Sequence, residues 1–163
     1  MKHLAIEGAF VAEHKVHGDE RGLFREWYKK SEFESAKVEF SIAQANHSIS
    51  EKYVLRGVHY SIALQGQAKL VTCVSGSILD VLVDLREGSP TYLKVEKIVM
   101  TPESGDVLFV PTGVGHSFLV TSDSASVVYL TSSEFDPENE NPIDMQRMGW
   151  QAILNNFKNY VEG

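Results

Sequence analysis

Apolar and polar side chains alternate along most of this chain, most clearly at 77–85, Ser-Ile-Leu-Asp-Val-Leu-Val-Asp-Leu. A β-strand has a side-chain period of two. That period sets Ile78, Asp80, Leu82 and Asp84 on one side and Leu79, Val81, Val83 and Leu85 on the other. The second side is wholly apolar and predicts a core face. The first mixes two carboxylates with two large apolar groups, which fits either the wall of a polar pocket or a face turned to solvent. In 53–60 the same period separates Val54, Arg56 and Val58 from Leu55, Gly57 and His59. Further β-rich segments lie at 4–11, 23–28, 40–47, 68–74, 92–100, 107–110, 117–120 and 125–131. Turn residues punctuate them at Gly18-Asp19, Gly66, Ser75-Gly76, Gly88-Ser89-Pro90, Ser104-Gly105-Asp106 and Pro111-Thr112-Gly113. Roughly ten strands at this spacing, without helices for parallel crossovers, predict an all-β sandwich or barrel. Two short helices are expected outside it. Ser31-Glu32-Phe33-Glu34 offers an N-cap residue and an acidic first turn. Ile153, Leu154, Phe157, Tyr160 and Val161 form an amphipathic stripe.

Composition narrows the class. A chain of 163 residues, 43% hydrophobic and 23% charged, reads as one soluble domain spanning 1–163. No apolar run approaches the ~20 residues of a membrane helix, and the opening Met1-Lys2-His3-Leu4 is not a secretory signal, so a cytoplasmic protein is expected. Residues 1–100 hold 13 basic and 13 acidic side chains, while 101–163 hold 2 and 9, so the net charge of −7 belongs to the last third. No Lys/Arg cluster supplies a nucleic-acid footprint, and the acidic stretch 134–140 reads as a surface connection. Cys73 is the only cysteine, which excludes an internal disulfide. No His-x-His occurs, and no three inward ligands can be assembled from His3, His14, His17 and His47, so no metal is expected. His59 and His116 each sit beside apolar neighbours on a predicted strand, where either a hydrogen-bonded core residue or a functional imidazole fits.

A series of blocks follows in order: Asp19-Glu20-Arg21-Gly22-Leu23-Phe24-Arg25-Glu26, Gln44-Ala45-Asn46-His47-Ser48, Leu55-Arg56-Gly57-Val58-His59-Tyr60 and Gln67-Ala68-Lys69-Leu70-Val71. Then come Asp80-Val81-Leu82-Val83-Asp84-Leu85-Arg86, Gly88-Ser89-Pro90-Thr91-Tyr92, Val110-Pro111-Thr112-Gly113-Val114-Gly115-His116-Ser117-Phe118 and Val128-Tyr129-Leu130. Together, over about residues 8–138, they resemble the dTDP-4-dehydrorhamnose 3,5-epimerase family of nucleotide-sugar epimerases. The resemblance implies a cupin-type double-stranded β-helix, or jelly roll, without metal or cofactor, assembled as a homodimer with strand exchange. It implies epimerisation of a nucleoside-diphosphate-linked 4-keto-6-deoxyhexose at C3, C5 or both. His59 matches the family's base, Lys69 the cation at the enolate oxygen, and Tyr129 the acid on the opposite face. Arg21, Glu26, Gln44, Asn46, Arg56 and His116 match substrate-binding positions.

The chain also departs from the family pattern. Phe135 stands where a second Tyr is general, and the stretch Asn141-Pro142-Ile143-Asp144-Met145-Gln146 is a contracted form of one that carries a stacking Trp. The family's C-terminal Asp, which orients the catalytic His, has no counterpart in the segment 155–163. Asp80 and Asp144 are candidates to replace it. Asp84 is a candidate to support His116 or to cap buried polar groups. Two other functions compete with epimerisation: a 3,4-ketoisomerase on the same kind of substrate, and a non-catalytic sugar-nucleotide-binding module.

Overall fold

The computed structural model describes residues 1–62, 66–139 and 143–162, the side chains at 143, 145 and 156–162 excepted. In chain order its elements are β1 (Lys2–His3), β2 (Phe10–Glu13), β3 (His17–Asp19), β4 (Gly22–Phe24), α1 (Lys30–Ser35), β5 (Gln44–Glu51) and β6 (Leu55–His59). They continue with β7 (Lys69–Ser75), β8 (Ile78–Asp84), β9 (Val95–Met100), β10 (Asp106–Val110), β11 (Val114–Val120), β12 (Ser124–Thr131) and α2 (Ile143–Glu162). A large sheet ordered β1-β2-β10-β7-β12-β5 lies against a small one ordered β6-β11-β8-β9, and among the described residues β3 and β4 pair only with each other. This is the expected all-β jelly roll.

The period of two decides what faces what. Val71, Cys73, Leu108, Val110 and Val127 of the large sheet meet Ile78, Leu82, Val114, Phe118 and Val120 of the small one in a shared interior. The opposite face of the large sheet buries Phe10, Leu70, Phe109 and Leu130 under Phe33, the one buried residue of α1. On β8 the mixed side, with Ile78, Asp80, Leu82 and Asp84 all 0% exposed, is the interior. The wholly apolar side lies on the outside of the small sheet, where Val83 and Leu85 pack with Val58 beneath Ala152 of α2. An outer helix needs an apolar face as much as a core does, so an all-apolar row does not by itself mark the interior.

Local details differ from expectation. The segment 4–11 does not run as one strand: β1 ends at His3, β2 begins at Phe10, and Gly8 turns between them at φ +80°. The strand expected at 40–47 lies at Gln44–Glu51 instead. Helix α1 starts at Lys30, with Lys29 in the N-cap position and no side-chain cap, so Ser31 does not cap it. Helix α2 spans 20 residues, longer than the short helix expected, and among the described residues no helix is long and apolar enough to cross a membrane.

Asp84 closes the end of the fold nearest the β1–β2 turn. Its carboxylate accepts from Arg86 Nε and Nη2 at 2.8 Å each and from the Ser89 hydroxyl at 2.6 Å, and Arg86 also donates to the Glu7 carbonyl. Burial works against the Asp84 charge, but the Arg86 guanidinium and the Ser89 and Thr91 hydroxyls outweigh it and hold the carboxyl far below the ordinary range. Asp84→Ala is expected to cost about 3 kcal/mol at pH 7, read from urea unfolding, because it strands a partly buried guanidinium and two hydroxyls. A depressed carboxyl pKa contributes stability above the unfolded value and loses it below. The difference between the two proteins should therefore shrink below about pH 4.

Candidate active site

A cavity of about 360 Å³ opens between the two sheets. Its large-sheet wall is built by inward positions two residues apart: Gln44, Asn46 and Ser48 of β5, Gln67 and Lys69 at the start of β7, and Tyr129 and Thr131 of β12. Register aligns them in rows across the sheet, with Lys69 beside Thr131 and Thr131 beside Gln44, and with Tyr129 beside Asn46. The facing wall carries Arg56 and His59 of β6 and His116 and Phe118 of β11, and Phe135 stands at the rim, 57% exposed.

Strict alternation on β6 would send Arg56 and His59 to opposite faces. Both line the cavity, because the pairing slips there: His59 lies opposite His116 and Arg56 opposite Phe118, so two residues of β6 stand against one of β11. Such a bulge re-aims a side chain without ending the strand. Gly57 permits it. Its φ is +114°, and a Cβ there would lie 2.6 Å from the His116 carbonyl oxygen and 2.7 Å from Ser117 Cβ. Val58 turns outward into the cluster under α2.

The cations crowd the imidazole. Burial first, and then the charges of Lys69, His116 and Arg56, push the His59 pKa down to about 4. His59 is thus a neutral imidazole at physiological pH, able to accept a proton. Lys69 is only 6% exposed, and a lysine is rarely buried so far without a partner or a task. Arg56 is held by its Nε donating to Ser50 Oγ at 2.8 Å, which leaves the end of the guanidinium for a ligand.

Of the three carboxylates proposed as supports, the structure brings only Asp80 to the site. Asp80 is 0% exposed and its Oδ2 lies 2.8 Å from His116 Nε2. A carboxylate can only accept, so that nitrogen carries the proton and the tautomer of His116 is set. Asp80 reaches the second imidazole, not His59. Asp84 is committed to Arg86, Ser89 and Thr91 and does not line the cavity. Asp144 is exposed on α2, where its Oδ1 lies 4.0 Å from Arg147 Nη1.

Comparison with known proteins bears directly on this constellation. The sequence model of the dTDP-4-dehydrorhamnose 3,5-epimerase family matches residues 3–155. The chain belongs to that family. It is 41% identical over 148 residues to a dTDP-4-dehydro-6-deoxyglucose 3-epimerase from a Streptomyces species, covering 88% of this chain and 76% of the relative. It is 39% identical over 143 residues to the dTDP-4-dehydrorhamnose 3,5-epimerase of Mycobacterium tuberculosis, covering 87% and 71%. Among solved structures, a 3'-monoepimerase from Streptomyces bikiniensis in complex with dTDP-quinovose superposes with a TM-score of 0.82 at 40% identity, covering 91% of this chain and 77% of that one.

Within this member of the epimerase family, seven of the nine expected catalytic and binding residues line one cavity: His59, Lys69, Tyr129, Gln44, Asn46, Arg56 and His116. Arg21 and Glu26 do not. Arg21 sits at the tip of the β3–β4 hairpin, paired with Asp19, and Glu26 pairs with Lys29 at 2.6 Å. Ser48, Gln67, Phe118 and Thr131 line the cavity without having been singled out as site residues. A signal was available, since each lies two positions from an expected residue on the same strand or strand entry. Among the described residues no three His, Cys, Asp or Glu side chains gather as a metal-binding set.

Proposed function

We infer that this chain is an epimerase that inverts a carbon beside the C4 ketone of a nucleoside-diphosphate-linked 4-keto-6-deoxyhexose, with deoxythymidine diphosphate as the carrier. The observation that carries this reading is the convergence of a neutral His59, a buried Lys69 and a facing Tyr129 on one cavity of small-ligand size. The ketone itself acidifies the neighbouring C–H bonds, so proton transfer is the chemistry the protein must supply. His59 takes the proton from carbon, and the electron pair of that bond moves through the adjacent carbon onto O4. The Lys69 ammonium stabilises the resulting enolate. Tyr129, on the opposite wall, returns a proton to the other face as the enolate collapses to the ketone. The centre is then inverted, His59 is charged and Tyr129 is a tyrosinate, and exchange with water resets both. Asp80 keeps His116 in one tautomer beside the base, and Arg56 meets the diphosphate through its forked donors.

Assembly as a homodimer belongs to the same proposal. Among the described residues the β3–β4 hairpin pairs with no other strand, and it exposes Leu23 and Phe24, 47% and 66%, so a second copy that clasps it would bury both. Such an exchange is also the route by which Arg21 and Glu26 would reach a substrate.

Incubation of dTDP-4-keto-6-deoxyglucose in heavy water tests the reaction. Deuterium is expected at C3, C5 or both, with an epimeric product by NMR. Tyr129→Phe should keep exchange while losing inversion. A relocated carbonyl would make the chain a ketoisomerase, and tight binding with no exchange would make it a binding module.

A further inference from the structure

We propose that Gly149 of α2 is a positioning residue for the base: with Gly115 of β11 it forms a slot that grips Val58 and so fixes the bend that aims His59. The proposal rests on the epimerase reading above. Asp80 holds His116 and not His59, so the aim of the base depends on how β6 itself is held. Val58 stands between Gly57 and His59, 1% exposed, in the cluster on the outer face of the small sheet. Two glycines close on it from different elements. A Cβ on Gly115, in the neighbouring strand β11, would lie 2.8 Å from Val58 Cγ1 and 2.9 Å from Val83 Cγ1. A Cβ on Gly149, in the helix packed over the sheet, would lie 3.2 Å from Val58 Cγ1 and 3.4 Å from its Cβ and Cγ2. Neither glycine has a left-handed φ, so what each provides is close approach and not backbone freedom.

Gly149 is the more telling of the two. Glycine is the poorest helix former after proline, yet this one stands in the interior of a 20-residue helix. Its missing side chain lets the α2 backbone come down on Val58, with Ala152 one turn later on the same buried stripe. A valine gripped from both sides holds its own backbone in place. The residues flanking it are Gly57, where β6 slips against β11, and His59. Arg56 lies across the slip and is tied to Ser50 of β5, so nucleotide binding does not depend on the same grip. The slot therefore governs proton transfer more than binding. A shift of a few tenths of an ångström at the imidazole is enough to be felt, since misplacement by about 1 Å lowers a rate on the order of 10²-fold.

The test uses the full-length protein with dTDP-4-keto-6-deoxyglucose, and with dTDP alone for binding. Gly149→Ala improves the helix, so a glycine without this task would give a protein at least as stable and as fast. The slot predicts instead a kcat about threefold to fivefold lower, with KM and dTDP affinity changed less than about twofold. Gly149→Val drives a branched side chain against Val58 and should lower kcat by at least about thirtyfold. Val58→Ala alone should also slow the reaction. Val58→Ala combined with Gly149→Val moves one isopropyl group from strand to helix and should bring kcat back to within about fivefold of wild type. NMR titration of the His59 imidazole needs no turnover. Its pKa, held at about 4 in the wild type by burial and by Lys69, His116 and Arg56, should rise in Gly149→Val and return in the double variant. Wild-type kcat in both Gly149 variants would overturn the proposal, as would joint loss of kcat and dTDP binding that the double variant leaves uncorrected. A His59 pKa that stays near 4 in Gly149→Val would overturn it too, whether or not the wild-type protein epimerises.

Discussion

Asparagine in place of His59 is expected to lower kcat about 10⁴-fold and to abolish deuterium uptake at both carbons, while dTDP binds with unchanged affinity by calorimetry. The surroundings of this imidazole have removed its ordinary basicity. Burial and the charges of Lys69, His116 and Arg56 favour the neutral form, so the free enzyme holds a ready acceptor at any pH above about 4. The same charges would make it a poor base if they persisted through the reaction. They do not persist. In the proposed reaction a bound diphosphate answers Arg56 and the enolate oxygen answers Lys69, so the imidazole gains basicity in the complex where the proton is taken. The acid limb of kcat/KM, which reports on the free protein, should accordingly lie near pH 4 in the wild type. Activity is lost as pH falls through that value, because protonation removes the acceptor. Exchange retained above about a tenth of the wild-type rate in His59→Asn would move the base elsewhere, with His116 next in line.

Much of this was legible in the chain. The apolar rows of β7, β11 and β12 mark a two-sheet interior, and Lys69, His116 and Tyr129 fall inward with Val71, Phe118 and Val127 by simple counting. Counting fails where the backbone breaks the period. Arg56 and His59 share the cavity only because of the slip at Gly57, and a glycine between two strand residues does not say whether it bulges. Asp80 and Asp84 were equal in the pattern, four positions apart on one side of β8. What separates them is tertiary: His116 comes over the first, and Arg86 curls back over the second. Arg21 and Glu26 lie on a hairpin and its following segment, where within one chain nothing carries them to the cavity.

Lys69→Met tests the other half of the chemistry and is expected to cost about 10²–10³ in kcat, the range for removing one donor from a developing oxyanion. Methionine keeps the length and apolar body of the side chain inside a wall that is otherwise closed, so the loss reads charge more than packing. Exchange should slow in proportion to turnover, because the enolate is the shared intermediate of both. A second effect has the opposite sign. Lys69 is the largest of the charges that hold the His59 proton off, so removing it should raise the imidazole pKa and carry the acid limb of kcat/KM upward from about 4. Burial and the remaining charges stay, so the limb should stop short of the ordinary 6.5 of an exposed histidine. The two effects separate the roles of the ammonium. A fall in kcat with the limb fixed near pH 4 would mean that Lys69 meets the enolate without being felt by the base. A shifted limb with kcat intact would mean that it tunes the base and leaves the enolate to another donor. Both changes together are what one charge placed between His59 and the carbonyl oxygen requires.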